Sequence, residues 1–307
     1  MAARSDSGSA AAAADRAIAL QVQRARARAA ARRRRQTVLT HVVLIAVSVP
    51  FLLPFFWLVT GTFKPASELL VVPPVWLPSQ WSLQNLQSLF GYNDVNIPSD
   101  ALNTAYISGF NVVATVASCS LTAYGFARIR FPGRNILFAI MIGTLVLPNW
   151  TTLIPTYTIF KWLGWLGTYR PLTWPALFGD AFTIFLLRQF MLSIPHELSD
   201  AARIDGASEF ATYWRVILPL VKPALAVAAL FTFINNYNDF FGPLIYLTDS
   251  GRYTLALAAF QFVKNHGAPD IGAIVAFSTL VTTPLVVLFF FTQRLLVEGI
   301  TLTGIKG

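Results

Sequence analysis

The apolar residues of this chain are gathered into six long runs that polar stretches separate. The runs cover approximately residues 39–61, 102–125, 135–157, 171–194, 223–247 and 271–296. Each exceeds the roughly 20 residues that an α-helix needs to cross the hydrocarbon core of a bilayer. Backbone groups inside a bilayer must be paired within the segment, so runs of this length are expected to be helices. The pattern predicts an all-α, polytopic membrane protein with six transmembrane helices.

The third run is less regular, because Pro148 and Pro155 interrupt it and a second apolar piece follows at 151–168. Short cytoplasmic loops are enriched in Lys and Arg, so their distribution indicates whether this piece is a further span. With six spans, 18 Lys and Arg lie on the side of the N-terminus and five on the other side. A further span would place Lys161 in the membrane and remove the asymmetry outside the N-terminal tail. We therefore expect 151–168 to be an outer re-entrant or interfacial element and both termini to be cytoplasmic.

The composition agrees with membrane insertion and shows where the charge lies. Only 12% of the residues are charged, against about 25% in a soluble domain. The net charge is +9, but residues 1–36 alone hold nine Arg and two Asp. A basic cluster directly before a span keeps that end in the cytoplasm and close to anionic lipid. We divide the chain into a basic cytoplasmic tail at 1–37 and a six-span domain at 38–307, and expect contact with membrane lipid and none with nucleic acid.

The sequence offers few groups for catalysis or metal binding. Cys119 is the single Cys, and His41, His196 and His266 lie too far apart to show ligand spacing. The phosphate-binding pattern G-x-x-x-x-G-K-[ST] does not occur in the chain. We therefore predict no enzyme activity, no metal site and no cofactor bound by this chain. If ATP and Mg²⁺ are used, another chain must hold them.

A polar stretch at about 195–222, between the fourth and fifth runs, predicts two short helices joined at a glycine. Ser199 is a candidate N-cap of the first helix, and the Asp200 carboxylate suits the positive end of the helix dipole. Gly206 is suited to the residue after the helix, where a left-handed backbone is common. The stretch therefore predicts a helix–glycine–helix elbow on the cytoplasmic side.

The second half of this stretch predicts a helix that leads back to the membrane. Ser208 can begin it, Phe210, Trp214 and Ile217 form an apolar stripe, and Pro219 marks the junction with the fifth run. An ordinary amphipathic connector at the membrane surface would show the same spacing. Spacing alone therefore leaves the function of the stretch open.

The letters of this stretch add a resemblance. The segment ELSDAARIDGASEFATYWRVILPLVKPAL at 197–225 resembles the EAA loop, the signature cytoplasmic loop of ABC-importer permeases. The segments FLLRQFMLSIP, NDFFGPLIYL and GITLTGIKG resemble the maltose-type carbohydrate permeases, in particular their G-type subunit. The resemblance covers residues 38–307. It implies a type I ABC-importer permease architecture in the plasma (inner) membrane of a bacterium.

The resemblance also implies partners. In this family a permease forms a heterodimer with a second permease, binds two ATPase subunits that hold ATP and Mg²⁺, and receives sugar from an extracellular solute-binding protein. The first helix of the loop, called the coupling helix, docks on an ATPase. The positions that match this coupling region are Glu197, Asp200, Ala201, Ala202, Asp205, Gly206 and Pro219. Asp200 stands where the family has Glu, one methylene longer, and Glu197 is the alternative contact.

Polar residues inside a span are costly and are therefore functional candidates. The fifth run contains Asn235, Asn236, Asn238 and Asp239. Four residues there form a candidate substrate path: Asn235, Tyr237, Asn238 and Asp239. A continuous helix would place Asn235 and Asp239 on one face. The alternative is a structural role, because Asn commonly bonds between helices in a membrane. In the fourth run, Asp180 has no predicted partner, since Arg188 lies about two helical turns away.

The resemblance thus implies a permease subunit of a bacterial ATP-driven carbohydrate importer. It would move sugar by alternating access, driven through its coupling loop by partner ATPases. The alternative is an ion-coupled secondary transporter. Such a carrier would need intramembrane carboxylates, for which only Asp180 and Asp239 are candidates.

Overall fold

The computed structural model describes the backbone at residues 5–92, 95–266 and 270–304, and the side chains of these ranges from 32 to 293 except residue 149. In these ranges all regular structure is helical, which confirms the all-α prediction. The chain forms two compact units, Met1–Thr60 and Gly61–Gly307.

The first unit consists of most of helix α1 (Ser5–Thr62). The helix passes through the four consecutive arginines at 32–35 and continues into the first apolar run, where Pro50 and Pro54 lie within it. Residues 32–62 have the length and apolar character of a membrane span. The backbone shows no break at residue 37, so the boundary of the tail stays a prediction.

Within the described residues, the second unit contains thirteen further α-helices. In chain order they are α2 (Gln84–Gly91), α3 (Ile97–Arg128), α4 (Arg134–Thr144), α5 (Asn149–Trp162), α6 (Arg170–Thr173), α7 (Ala181–Ser193), α8 (Glu197–Ile204), α9 (Glu209–Thr212), α10 (Leu218–Leu220), α11 (Lys222–Tyr237), α12 (Phe241–Tyr246), α13 (Leu255–His266) and α14 (Ile271–Gly304). Helix α3 packs against α7 and α11, and α14 packs against α2, α11 and α13. These contacts form the frame that carries the polar loop at 195–222.

Four helical segments are long and apolar enough to cross a membrane: 32–62, 97–128, 170–193 and 271–293. A fifth span is formed if the pair Glu209–Leu220 and Lys222–Tyr237, bent by 79°, counts as one. These numbers refer to the described residues, and the predicted total of six spans stays a prediction.

The third apolar run is not one helix. Helix α4 has 11 residues and ends at Thr144. The amides of Leu145, Val146 and Leu147 then bond three residues back, a tightened turn typical of a helix end. Pro148 lacks an N–H group and disfavours helix at the residue before it, and α5 starts directly after it. The predicted third span at 135–157 is therefore divided near residue 147.

The fifth apolar run is divided as well. Helix α11 ends at Tyr237, and Asp239 lies in the turn before α12, where one carboxylate oxygen accepts from the amide of Gly242 at 3.0 Å. Short Asn and Asp side chains compete with the helix for backbone groups in this way. The prediction that Asn235 and Asp239 share one helix face is therefore wrong.

Two groups of buried side chains form the core of the second unit. The first joins α3, α7 and the α9–α11 region and includes Cys119, Leu187 and Ile217. The second joins α2, α11, α13 and α14 and includes Leu89 and Phe277. Small residues at the first contact, such as Ala123 and Ala224, are almost fully buried and let the helices approach closely.

Candidate functional site

The polar loop at 195–222 begins with α8, which starts earlier than the sequence predicts. The carbonyl of His196 already accepts from the amides of Ser199 and Asp200 at 2.9 and 3.1 Å. Ser199 therefore lies inside the helix, where it is buried, and its hydroxyl has no hydrogen-bond partner among the described residues. The prediction of Ser199 as N-cap is wrong. Glu197 and Asp200 both occupy the first turn, where a negative charge is favourable.

The glycine elbow is formed as predicted. Helix α8 ends at Ile204, with Asp205 as its C-cap residue, and Gly206 has a φ of +79°, in the left-handed region. The amide of Gly206 bonds the carbonyl of Arg203 at 3.0 Å, and the amide of Ala207 bonds that of Ala202 at 2.9 Å. These two bonds define a Schellman C-cap, which satisfies carbonyls at the helix end. The loop thus turns sharply at a position where only glycine adopts the backbone without strain.

A chain of polar bonds holds together the two arms of the elbow, which are α8 and the helical segment that begins at Glu209. Arg203 donates from Nη1 to Asp200 at 2.8 Å and from Nε to Glu209 at 2.9 Å. Glu209 Oε2 also accepts from the hydroxyl of Tyr124 on α3 at 2.8 Å. The hydrogen bond with Glu209, and then that with Asp200, raises the pKa of Arg203. Since the ion pairs are partly exposed, they set geometry more than they add stability.

A second connection runs from Arg128, the last residue of α3. Its side chain is 5% exposed and donates from Nη2 to the carbonyls of Met191 and Ile194, the latter at 2.7 Å. Its Nη1 lies 3.1 Å from Nδ1 of His196. Arg128 thus satisfies carbonyls at the C-terminal end of α7, where a positive charge is favourable. From the sequence, Arg128 was expected only to mark the cytoplasmic side of the membrane. The feature of the sequence that pointed to Arg128 was a charged residue at the end of an apolar run.

The predicted coupling residues lie mostly on an open surface. Glu197, Asp200, Ala201, Asp205, Gly206 and Pro219 are exposed, and Ala202 is half-buried. Ile204, between them, is 87% exposed. The surface of α8 therefore presents small and apolar side chains beside carboxylates, and a partner can approach it closely.

The predicted apolar stripe of Phe210, Trp214 and Ile217 does not lie on one face in the structure. Phe210 and Trp214 are exposed, and their rings stack with centroids 6.4 Å apart. Ile217 is fully buried in the core. The reason is a π-helical turn at Tyr213–Ile217, because i→i+5 bonding widens the turn and shifts the faces. Pro219 follows in α10, at the bend into α11, as predicted.

The fifth-run residues lie at a different place, near a cavity of about 590 Å³ between α3, α11 and residues 172–183. Asn235 lines this cavity. Tyr237 does not: it is buried, and its hydroxyl donates to the carbonyl of Val281 at 2.8 Å. Asn238, also outside the cavity lining, donates to the carbonyl of Ile234. Of the four predicted path residues, the structure therefore brings only Asn235 to the cavity, and Asp239 remains in its turn.

Other polar side chains of the cavity were missed by the sequence analysis. Asn111 of α3 donates to the carbonyl of Leu172 at 2.8 Å and also bonds Asn236. Its carbonyl oxygen is buried without a partner among the described residues. Thr183 lines the same cavity. An isolated Asn in the middle of the second apolar run was the signal for Asn111.

The carboxylate of Asp180, for which the sequence predicts no partner, accepts hydrogen bonds in the structure. It precedes α7, and its carboxylate accepts from the amides of Phe182 and Thr183 at 3.0 and 3.2 Å. The carboxylate is therefore a helix N-cap. Arg188 bonds the carbonyl of Phe126 and lies over the ring of Phe138, 4.0 Å from its centroid.

Comparison with known proteins points to one family. The sequence pattern of the family described as binding-protein-dependent transport system inner membrane component matches residues 119–302. YurM of Bacillus subtilis, a probable ABC transporter permease protein, is 31% identical over 256 residues, which cover 83% of each chain. AraQ of Halalkalibacterium halodurans, a permease protein of an arabinooligosaccharides transport system, is 30% identical, over 83% of this chain and 91% of that protein. The fold also matches a crystal structure of a bacterial ABC transporter that imports alginate, with a TM-score of 0.75, 21% identity and coverage of 85% and 96%.

Proposed function

The chain belongs to the family of inner membrane components of binding-protein-dependent transport systems, and we propose that it is the permease subunit of a bacterial ATP-driven carbohydrate importer. The family match confirms the predicted class, a transport permease and not an enzyme. It also favours this class over the ion-coupled alternative, in agreement with the N-cap role of Asp180. The carbohydrate is inferred from relatives such as the arabinooligosaccharide permease.

The observation that carries the mechanism is the attachment of the loop at 195–222 to two helices of the frame. Tyr124 joins the second arm to α3 through Glu209, and Arg128 joins the end of α7 and His196 to α3. A force on α8 would therefore be transmitted to α3 and α7 together. This arrangement supports a lever: ATPase subunits that close on ATP would pull α8 and change access to the sugar path.

The remaining partners follow from this role. We expect a second permease, two ATPase subunits that hold ATP and Mg²⁺, and an extracellular solute-binding protein. The chain would lie in the plasma membrane with both termini in the cytoplasm, as its basic residues indicate. Glu197, Asp200, Ala201, Ala202, Asp205, Gly206 and Pro219 would form the ATPase-facing region.

The sugar path is proposed at the cavity beside Asn235. Amide and hydroxyl groups of Asn111, Thr183, Asn235 and Asn236 line or border a space of about 590 Å³, a volume typical of small-molecule sites. These groups can hydrogen-bond sugar hydroxyls, and Asp180 also lines the cavity. Tyr237 and Asp239 would support the path from outside the cavity, and Asn238 would not contact the sugar.

Purification from the native membrane tests the proposal. The full chain, tagged at its N-terminus, is extracted in mild detergent, and mass spectrometry identifies the proteins that accompany it. A P-loop ATPase and a second polytopic permease are expected. In parallel, a strain without the gene should lose uptake of one labelled carbohydrate among a panel. Isolation of a stable chain without either subunit, together with unchanged uptake of every carbohydrate, would contradict the proposal.

A further inference from the structure

A second cavity, of about 690 Å³, opens beside α8 and is lined by four arginines. Arg128 ends α3, Arg130 and Arg134 lie in the turn before α4 and at its start, and Arg203 belongs to α8. Segments far apart in sequence thus bring positive charges to one space. None of the roles assigned above requires Arg130 or Arg134.

The positive charge of this cavity is only partly compensated. Its two carboxylates, Asp200 and Glu209, both pair with Arg203. Among the described side chains, neither Arg128, Arg130 nor Arg134 forms an ion pair with a carboxylate. Like charges around one space repel each other, so an anion in the cavity would be stabilised.

Donors remain available for such an anion. Arg130 is exposed, and its guanidinium has no hydrogen-bond partner among the described residues. Arg134 forms one bond of 3.4 Å, from Nη1 to the carbonyl of Ile129, and its other N–H groups have no partner in the part of the chain that the structure describes. Guanidinium groups bind phosphate oxygens in a bidentate manner. The cavity therefore fits a small oxyanion with several acceptors.

The position of the cavity favours phosphate as that oxyanion. It lies where α3 and α7 end and α4 begins, at the boundary between apolar helices and polar loop. Basic pockets between helices at the cytoplasmic surface are typical sites for anionic headgroups. The volume lies within the range of small-ligand sites. We propose that this cavity binds a phosphate group, either that of an anionic phospholipid or soluble phosphate.

Such a site would be separate from sugar transport, because the bound phosphate would affect the geometry of the coupling loop. A phosphate held by Arg130, Arg134 and Arg203 would connect the start of α4 to α8. Bound phosphate should therefore stabilise the folded chain and oppose separation of the loop from the helices.

Thermal unfolding in nanodiscs tests the proposal. The full chain, with any subunits that accompany it, is placed in phosphatidylcholine alone, in phosphatidylcholine with phosphatidylglycerol, or in phosphatidylcholine with added inorganic phosphate. We expect phosphatidylglycerol to raise the Tm of the native chain. The double variant Arg130→Gln with Arg134→Gln should lose this shift. An equal rise with inorganic phosphate would identify the soluble ion as the ligand.

A matched control removes the same charge elsewhere. Arg215→Gln with Lys222→Gln changes two exposed basic residues outside the cavity lining and should retain the shift in Tm. If both double variants lost the rise in Tm equally, the rise would depend on general surface charge and not on the cavity, and the proposal would be overturned. So would a native Tm that neither phosphatidylglycerol nor phosphate changes. Because neither altered residue of the test pair is deeply buried, both double variants are expected to fold.

Discussion

The hydroxyl of Tyr124 in α3 lies 2.8 Å from Oε2 of Glu209. Glu209 is the first residue of α9, in the second arm of the loop. The same carboxylate accepts from Arg203 through its other oxygen. One residue of the loop is therefore bonded both to the frame and to the neighbouring arm. Displacement of α8 should reach α3 by this route.

Tyr124→Phe tests the route, because it removes one hydrogen bond and keeps the ring. A single buried bond contributes about 0.5–1.5 kcal/mol, so the chain should still insert and assemble. We expect slower uptake of the carbohydrate, with more ATP hydrolysed per molecule transported. Tyr106→Phe is the control, since no hydrogen bond of its hydroxyl exists among the described residues. If Tyr124→Phe hydrolyses as much ATP per transported molecule as the native chain, this hydrogen bond does not transmit the motion of α8.

Gly206→Ala should weaken coupling through backbone strain alone. A left-handed backbone costs a non-glycine residue about 1–2 kcal/mol, while an added Cβ would meet no atom within 4 Å. Gly206→Pro should have a larger effect, since it also removes the amide that bonds Arg203. Uptake and ATP hydrolysis of the assembled complex measure both effects. Gly109→Ala, with equally free space and a helical backbone, should behave as the native chain does.

Arg128→Met should destabilise the chain, because it leaves the carbonyls at the end of α7 without their donors. Hydrogen bonds to a charged group contribute about 1.5–3 kcal/mol. We expect a loss of this size in the free energy of unfolding, measured by denaturant titration in detergent. Arg215→Met, at an exposed site, should change it little. If Arg128→Met unfolds at the same denaturant midpoint as the native chain, water must hydrogen-bond these carbonyls in place of the guanidinium.

Asn235→Ala tests the sugar path. If the amide bonds a sugar hydroxyl, its loss should raise KM for uptake roughly two- to tenfold, which corresponds to about 0.5–1.5 kcal/mol. Asn238→Ala removes an exposed amide that does not line the cavity and serves as the control. Equal effects of the two substitutions would place the path elsewhere.

Local chemistry made part of the site predictable from the sequence. Gly206 as an elbow and Pro219 as a junction depend on backbone preferences that act within a few residues. The same holds for Ser208, whose hydroxyl accepts from the amide of Ala211 as an N-cap. The all-α class followed from the length of the apolar runs.

Tertiary contacts were not predictable in this way. The pairing of Asp200 with Arg203 is local, but the bond from Tyr124 to Glu209 joins residues 85 positions apart. The end of α11 depends on how Asp239 bonds the backbone of Gly242, and periodicity carries no sign of that bond. The π-helical turn that separates Trp214 from Ile217 is also invisible to a count based on regular helical spacing.

Site-directed cross-linking from α8 tests whether the loop at 195–222 contacts an ATPase subunit. Ile204→Cys places a thiol at an 87% exposed position of α8, while the native Cys119 is fully buried. Trp162→Cys, at an 86% exposed position of α5, is the control on the side predicted to face outward. In native membranes treated with a bifunctional thiol–amine reagent, Ile204→Cys should form an adduct with a P-loop ATPase, and Trp162→Cys should not. An assembled complex that gives no ATPase adduct from Ile204→Cys, or the same adduct from both positions, would contradict the coupling role of the loop.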